Sequence, residues 1–413
     1  MTAKTANPIL IIGDDTRIFL SVVRAIGRAG RTVHAFPFSQ TAAALASRYI
    51  SKTHDGPDFD KDPQGWRLAL LDLLKTVQFD LVIPCADPAI AALDHNRNAV
   101  RNQRLAIPSC ANMPVFFDKA ETHRLCDELG IPAAPAAPLG DADTADSLIA
   151  RFGLPLVLKP RRSFWADKDK AREDVVIAED REQLVRTLAK IADRSRFIVE
   201  GYFIGIGTGV SVLSHNGTVL QAFQHRRLRE GWGGCSSYRI SEAIDPDLRQ
   251  AVERVCQKTR HSGVCMFEFR VNRDTGAWIL LEINARFWGS MQLPVAIGLD
   301  YPNLLHDLLV NGATAPEKDY PIGIRSRNLL LDANNLRKRF IEGRAKGGLH
   351  WLEDAGDFLL QPFRWIMGRE KPDTISISDP LPAMKELYAA VHRPRAAVLR
   401  PKAPIGAETR LSR

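Results

Sequence analysis

The chain has few cysteines, and none is spaced for metal or redox work. The six, at positions 85, 110, 126, 235, 256 and 265, include no CxxC pair. That argues against a zinc knuckle or a disulfide framework and suits a reducing cytoplasm. No apolar run approaches the ~20 residues needed to cross a bilayer, and Ile9–Ile12 is too short for the core of a signal peptide. The GxGxxG fingerprint of a dinucleotide fold is missing, since Gly13 is followed by Asp14, Asp15 and Thr16. Internal repeats, low-complexity tracts and recognisable nucleophile motifs are absent too.

What remains is an ordinary globular composition with a basic excess. Fifty-six Lys and Arg against 48 Asp and Glu give a net charge of +8. This suits an anionic ligand such as a nucleotide, and equally a loose nucleic-acid or membrane-surface contact; charge alone does not choose. At 413 residues there is room for two or three domains.

The start of the chain reads as βαβ. Ile9–Ile12 is a buried-type strand, Ile18, Phe19, Val22, Val23 and Ile26 mark a helix closed by Gly30, and Thr32–Phe36 is a second strand. A doubly wound parallel sheet is the expectation, with Phe79–Pro84 as a further strand. Ligands of such sheets sit at strand ends, here the loops Asp14–Arg17 and Ala86–Pro88. Each polar residue there also has the simpler role of capping a helix.

The most informative stretch is 264–290, VCMFEFRVNRDTGAWILLEINARFWGS. Two apolar runs flank a turn sequence, which predicts a β-hairpin. Alternation puts Glu282 and Asn284 on one face and Ile279, Leu281 and Ile283 on the other. Closure through Asn272–Gly276 sets Glu268 directly across from Glu282 or one diagonal step away, with carboxylates roughly 5–8 Å apart. Carboxylates in such apolar company need a positive partner. Mg²⁺ fits, since it takes hard oxygens from one or two carboxylates plus phosphate. Asn284 adds a neutral oxygen, and Arg286 lies within reach of the same phosphates. The competing reading is a plain Glu282–Arg286 ion pair, which leaves Glu268 and Asn284 without a purpose.

Glu282-Ile-Asn284-Ala-Arg286-Phe-Trp-Gly, preceded by Glu268-Phe-Arg, resembles the metal-binding hairpin of the ATP-grasp superfamily, which includes biotin carboxylase, carbamoyl phosphate synthetase and many carboxylate–amine ligases. The Arg-Phe-Trp-Gly-Ser continuation is similar to carboligase-like members. The resemblance covers residues 8–330 or so and implies an α/β chain: a doubly wound N-terminal domain (1–115) and a two-subdomain α+β ATP-grasp fold (116–195 and 196–315, the latter with the metal hairpin). The remainder, 316–413, is a C-terminal extension, and its last residues, 393–413, are rich in Pro, Arg and Ala, which predicts a disordered tail. It implies ATP and Mg²⁺ as cofactors, Mn²⁺ as a substitute, and metal ligands Glu268, Glu282 and Asn284.

The same resemblance assigns further residues. Asp118-Lys119-Ala-Glu121 opens a helix, with a capping box expected between Asp118 and Glu121, and Lys119 becomes a phosphate contact. Lys159, which ends the apolar strand Gly153–Lys159, is aimed at the α/β-phosphates. Glu200, Gly201 and Phe203 meet the adenine edge. Arg286 and Lys159 act in catalysis, and Arg226, Arg227, Ser236 and Ser237 approach the carboxylate substrate. Two departures stand out. The loop after Pro160 carries Arg161, Arg162, Phe164, Trp165, Lys168, Lys170 and Arg172 where the family has glycines, and Gly205-Ile-Gly207-Thr-Gly209 replaces the usual ribose-binding acid. Those glycines read equally as a β-bulge.

Beyond residue 320 the pattern loosens. Arg325 and Arg327 reach the site or decorate its rim, and 337–371 mixes Trp351, Phe358, Phe363 and Trp365 with Arg364, Arg369 and Lys371. That segment suits anionic lipid but more often such a stretch packs onto its own domain. The functional expectation is an ADP-forming carboxylate–amine ligase working through an acylphosphate on small-molecule acids and amines. No nucleic acid is expected, self-association is open, and so are two alternatives: a bicarbonate-using carboxylase, weakened because no biotin-attachment domain is visible, and a non-catalytic nucleotide-binding module.

Overall fold

The computed structural model describes residues 7–164, 175–230, 236–346 and 350–392. Three sheets follow one another along the chain. The first is fully parallel, in the order β3-β2-β1-β4, from β1 (Ile9–Ile12), β2 (Val33–Phe36), β3 (Ile50–Thr53) and β4 (Leu81–Pro84). Both faces of its central strand are covered: Ile9 and Ile11 pack against the helix Phe19–Arg28, Leu10 and Ile12 against Trp66, Leu70 and Leu74. That two-sided burial is why β1 and β4 are continuous apolar runs.

The second sheet is antiparallel, in the order β5-β8-β6-β7, from β5 (Ala136–Pro138), β6 (Leu156–Pro160), β7 (Val176–Ala178) and β8 (Phe197–Gly201). The helices Ala145–Phe152 and Arg181–Leu188 cover it through Leu148, Leu184 and Leu188.

The third sheet has seven strands: β9 (Ile206–His215), β10 (Thr218–Glu230), β11 (Ser236–Glu242), β12 (Gly263–Val271), β13 (Trp278–Asn284), β14 (Arg325–Arg327) and β15 (Glu370–Pro372), ordered β13-β12-β9-β10-β11-β14-β15. Pairing is antiparallel throughout except between β14 and β15. The β9–β10 turn holds Asn216 at φ 49° and Gly217 at φ 87°, the left-handed pair that a tight hairpin demands. Two short strands beyond residue 316, β14 and β15, join this sheet. Arg327, placed at the site or its rim by the sequence, is fully buried between Asp332, Asp357 and Glu370.

Two local expectations change. Asp118 caps the helix Lys119–Leu129 through Ala120 N–H, but Glu121 bonds Arg124 at 2.6 Å instead of closing a capping box. The amide that a capping box would satisfy is already donated to Pro114 C=O at 2.9 Å. In the 264–290 hairpin, pairing runs Glu268↔Glu282 and then Phe269↔Leu280. Leu281 is therefore the extra residue of a β-bulge, and Leu280, not Leu281, joins Ile283 in the core.

The side chains of Trp165, Lys168, Lys170 and Arg172, the loop 231–235 and the tail 393–413 lie outside the described residues, as does the Trp351 side chain. No helix among the described residues is long and apolar enough to cross a membrane. The five described cysteines are free.

Candidate active site

The hairpin sets the site. Register places Glu268 and Glu282 directly opposite each other, and the Asn284 amide reaches Glu282 at 3.2 Å and Glu268 at 3.5 Å. Burial pushes the Glu268 carboxyl above its ordinary value; Arg227 pulls it down, while Glu282 and Glu230 push it further up. Such a pair of crowded carboxylates is short of positive charge.

Arg227 reaches this pair across a strand. Its guanidinium donates to Glu268 at 2.5 Å and to Glu230 at 3.3 Å, although β9 lies between β10 and β12. The crossing is possible because β9 presents Gly207 and Gly209 there. A Cβ on Gly207 would sit 2.5 Å from the Glu230 carboxylate and 2.6 Å from Arg227 Cδ, and one on Gly209 would run into the His225 ring. These glycines, which stand where the resemblance expects the ribose-binding acid and which read equally as a bulge, are a bare lane for β10 side chains. Their i, i+2 spacing, one face of a strand, was the available signal.

Arg286 follows the hairpin and turns to the first sheet. Its Nε bonds Asp87, the first residue of the helix Asp87–His95 that follows β4, at 2.5 Å, and one Nη bonds Phe287 C=O at 3.0 Å. Burial opposes the charge on Arg286, but Asp87, Glu282 and Glu268 outweigh it and hold the pKa above its ordinary value. The plain Glu282–Arg286 pair gives way to this arrangement: Asp87 takes the Nε hydrogen bond, and the Glu282 charge adds to its pull. A small cleft lined by Asp87, Phe117, Lys119, Ser163, Glu282 and Asn284 lies here. Lys119 enters it from the start of its helix, with Nζ 3.9 Å from Glu282.

A second cluster lies on the other side of the bulge. Lys159 Nζ sits 2.5 Å from Glu200 Oε1 and 3.5 Å from the bulged Leu281 C=O. His123 Nε2 meets the same Glu200 oxygen at 2.6 Å. Burial would raise the Glu200 carboxyl, yet Lys159 and His123 hold it below the ordinary range. His123 was missed by sequence reasoning, though its place one helical turn after Lys119 puts it on the same face. Gly201 ends β8 and donates to Pro135 C=O at 2.9 Å, and Phe203 lies half-buried just beyond.

Three sequence candidates lie elsewhere. Arg226 alternates to the opposite face of β10 from Arg227 and bonds Glu242 at 2.6 Å. Ser237 is buried with its hydroxyl on Asp332 at 2.9 Å, and Ser236 bonds Tyr238 C=O at 3.4 Å. Neighbouring strand residues face opposite ways, so a run such as His225–Arg229 cannot be one basic surface.

Among the described residues no three His, Cys, Asp or Glu side chains form a metal-binding group. The set here is two facing carboxylates and an amide, and the Glu268 carboxyl is raised chiefly by burial, with Glu282 adding to it. That donor set suits a hard divalent ion that also takes phosphate oxygens, provided the Asn284 amide turns its oxygen inward.

No family model matches the chain. Over 204 residues it is 28% identical to a phosphoribosylamine–glycine ligase of a Nostoc strain, covering 44% of this chain and 46% of that protein. Over 309 residues it is 22% identical to a D-aspartate ligase of Enterococcus faecium, covering 67% of this chain and 70% of the relative. The chain thus spans about half the length of the first of these curated relatives. The crystal structure of N5-carboxyaminoimidazole synthetase from Staphylococcus aureus complexed with ADP superposes with a TM-score of 0.61 at 16% identity, covering 83% of this chain and 87% of that one. The chain thus shares its fold with that ADP-bound ATP-grasp enzyme and is similar in sequence to these two ligases.

Proposed function

We propose that the protein is an ATP-dependent, ADP-forming ligase that activates a carboxylate as an acylphosphate and passes it to an amine. The observation that carries this reading is the face-to-face placement of Glu268 and Glu282 beside Asn284, with Lys119 lining the same cleft and Arg286 bonded to Asp87 on its wall. Names such as D-aspartate ligase and phosphoribosylamine–glycine ligase among the relatives support it.

In this reading a carboxylate oxygen of the acid attacks the γ-phosphorus of ATP, the bond from that phosphorus to the β-phosphate oxygen breaks, and ADP leaves. The amine nitrogen then attacks the acyl carbon, the bond from that carbon to the bridging oxygen breaks so that the oxygen leaves with phosphate, and the amine proton goes to phosphate or solvent. Glu268, Glu282 and Asn284 would hold Mg²⁺, which supplies charge neutralisation at the nucleotide's terminal phosphates when bound. Lys119 offers an ammonium to the phosphates from the other wall of the cleft. Arg286, locked by Asp87, holds a fixed positive charge where negative charge gathers on the acyl group. Glu200, kept ionised by Lys159 and His123, is the acceptor for an exocyclic amino group of the base. Nucleotide arrival frees Lys159 Nζ to exchange part of its Glu200 contact for phosphate.

The test is ADP release from ATP against pooled acids, amino acids and bicarbonate, each with and without an amine. Acid- and amine-dependent ADP and phosphate is the expected result. AMP and pyrophosphate would overturn the acylphosphate route, bicarbonate as the sole effective acid would indicate a carboxylase, and binding without stimulated turnover would indicate a nucleotide-binding module.

A further inference from the structure

Beside the cleft lies a cavity of about 390 Å³ for which the chemistry above has no use. Both spaces are lined by Asp87, Phe117 and Ser163, so one molecule can occupy the cavity and present its end to Glu282 and Asn284. Aromatic rings form part of its wall. Phe59 meets Trp66 edge-on at 5.2 Å and Phe164 at 6.4 Å, and Phe117 borders the mouth. Trp66 is also immobile: it is fully buried, its Nε1–H donates to Pro37 C=O at 2.7 Å, and its ring stacks on Phe38 at 4.8 Å. The slot is therefore preformed, not made by a side chain swinging aside.

Its charges are placed at particular points. Asp87 at the threshold is neutralised by Arg286, so a carboxylate can approach there. Arg67 lines the cavity one residue after Trp66, and among the described residues no hydrogen bond or ion pair engages its guanidinium. A half-buried arginine without a partner beside aromatic rings is a ready site for a carboxylate or other polar oxygen. Bicarbonate, acetate or glycine would leave most of this volume as water against aromatic faces, which is unfavourable; the size is that of pockets that enclose larger organic ligands.

Accepting the ligase reading, we infer that the acid activated here has an aromatic or bulky apolar body that fills this cavity, its reacting carboxylate at the Asp87–Arg286 threshold and a second polar or anionic group at Arg67. The assignment specifies a substrate class for the first half-reaction, and the amine enters from the cleft side.

The experiment replaces the unknown amine by hydroxylamine and measures ADP and hydroxamate with matched acids: acetate, propionate, glycine and bicarbonate against 3-phenylpropionate, phenylalanine and an aromatic diacid. The expected result is a kcat/KM at least tenfold higher for the aromatic set. Ala91→Trp, on the cavity wall of a partly exposed helix position, should raise KM for aromatic acids tenfold or more while leaving affinity for a non-hydrolysable ATP analogue unchanged. Met113→Trp serves as a second filling variant, and a melting curve checks that each is folded. Arg67→Met should weaken the diacid tenfold and the monoacid little. A preference for small acids, or filling variants that leave aromatic acids unaffected, would overturn this inference and leave the ligase reading intact. Absence of ADP release with every acid, despite analogue binding, would overturn both.

Discussion

Arg227 holds Glu268 at 2.5 Å by passing over a strand that has no side chains in its way. The lane through Gly207 and Gly209 makes the site a property of four strands, β10, β9, β12 and β13, and not of the hairpin alone. A methyl at Gly207 should therefore press on Arg227 and the Glu230 carboxylate. At 209 it meets the buried His225 ring, whose Nε2 is in hydrogen-bond contact with Ser290 at 3.1 Å and which stacks on Phe223. Gly209→Ala is expected to cost about 1–3 kcal/mol, the usual penalty for overpacking. Urea unfolding measures this, with Ala91→Gly on a partly exposed helix position as a milder comparison.

The facing carboxylates carry a pH-dependent cost. Burial and Glu282 raise the Glu268 carboxyl against the pull of Arg227. A carboxyl raised in the folded state destabilises it above the raised value, and the penalty disappears as pH falls through the ordinary carboxylate range. Glu282→Gln removes one of the two charges. It should stabilise the ligand-free protein by up to about 1 kcal/mol near pH 8, with the gain shrinking as pH is lowered toward 4. Adding ATP analogue and Mg²⁺ should raise the wild-type melting temperature by mass action and do so far less in the variant. A variant that is less stable than wild type without ligand would show that Glu282 is a structural partner.

How much of this was readable follows from the range of each interaction. A strand alternates every second residue, so Glu268, Glu282 and Asn284 could be set on one face from the sequence, and Asn272–Gly276 fixed the turn. The bulge at Leu281 was not readable, because it depends on pairing with β12 and on Lys159 seeking its carbonyl. Arg286 looked like a partner of Glu282 because they are close in sequence; Asp87, 199 positions away, has no local signature. Arg327 failed the same way. Its three carboxylate partners come from one helix start, a second helix and an edge strand, and nothing periodic connects them. Arg364 and Phe358 pack inward toward Tyr238 and Arg327, while Phe363 and Ile366 remain exposed, so the aromatic, basic segment divides between core and surface.

Asp14 gives a second titration, away from the hairpin. Burial lifts its pKa to about 6; the neighbouring Asp15 and Asp60 add to this, and the amides of Ser39 and Phe38 oppose it. The shift from 3.8 to about 6 corresponds to about 3 kcal/mol of destabilisation at most. The sign follows from proton binding. Below about pH 4 both folded and unfolded forms are protonated and nothing is lost; between there and about 6 the folded form holds the extra proton, and stability falls as pH rises. Asp14→Asn keeps an acceptor for the Ser39 amide, now at 2.8 Å. It should match wild type near pH 4 and exceed it near pH 8, as read from urea midpoints at the two values. Equal stability at both would mean that Asp14 is effectively hydrated.

The C-terminal strand pair is tied back to the first sheet by Arg24 and Asp379, each 2% exposed. Arg24 donates from Nε to Asp379 at 2.8 Å and from its two Nη atoms to Thr374 C=O and Asp379 C=O, both at 2.7 Å. Asp379 also accepts from the Ser47 hydroxyl at 2.8 Å and the Arg48 amide at 2.9 Å. Burial works against the Asp379 charge, yet Arg24, the Arg48 amide and Ser47 hold its pKa below the ordinary range. The stability it contributes is thus present above about pH 4 and lost as pH falls through that lower folded value. Arg24→Met leaves a buried carboxylate without its cation and should cost about 3–5 kcal/mol at neutral pH. Asp379→Leu alone strands the arginine and should cost a similar amount. The double variant leaves no uncompensated charge, so its loss should be well short of the sum of the two single losses. Additive losses would mean that the residues act separately, Arg24 through Thr374 and Asp379 through Ser47 and Arg48, and that the clasp between the two ends of the chain is not one unit.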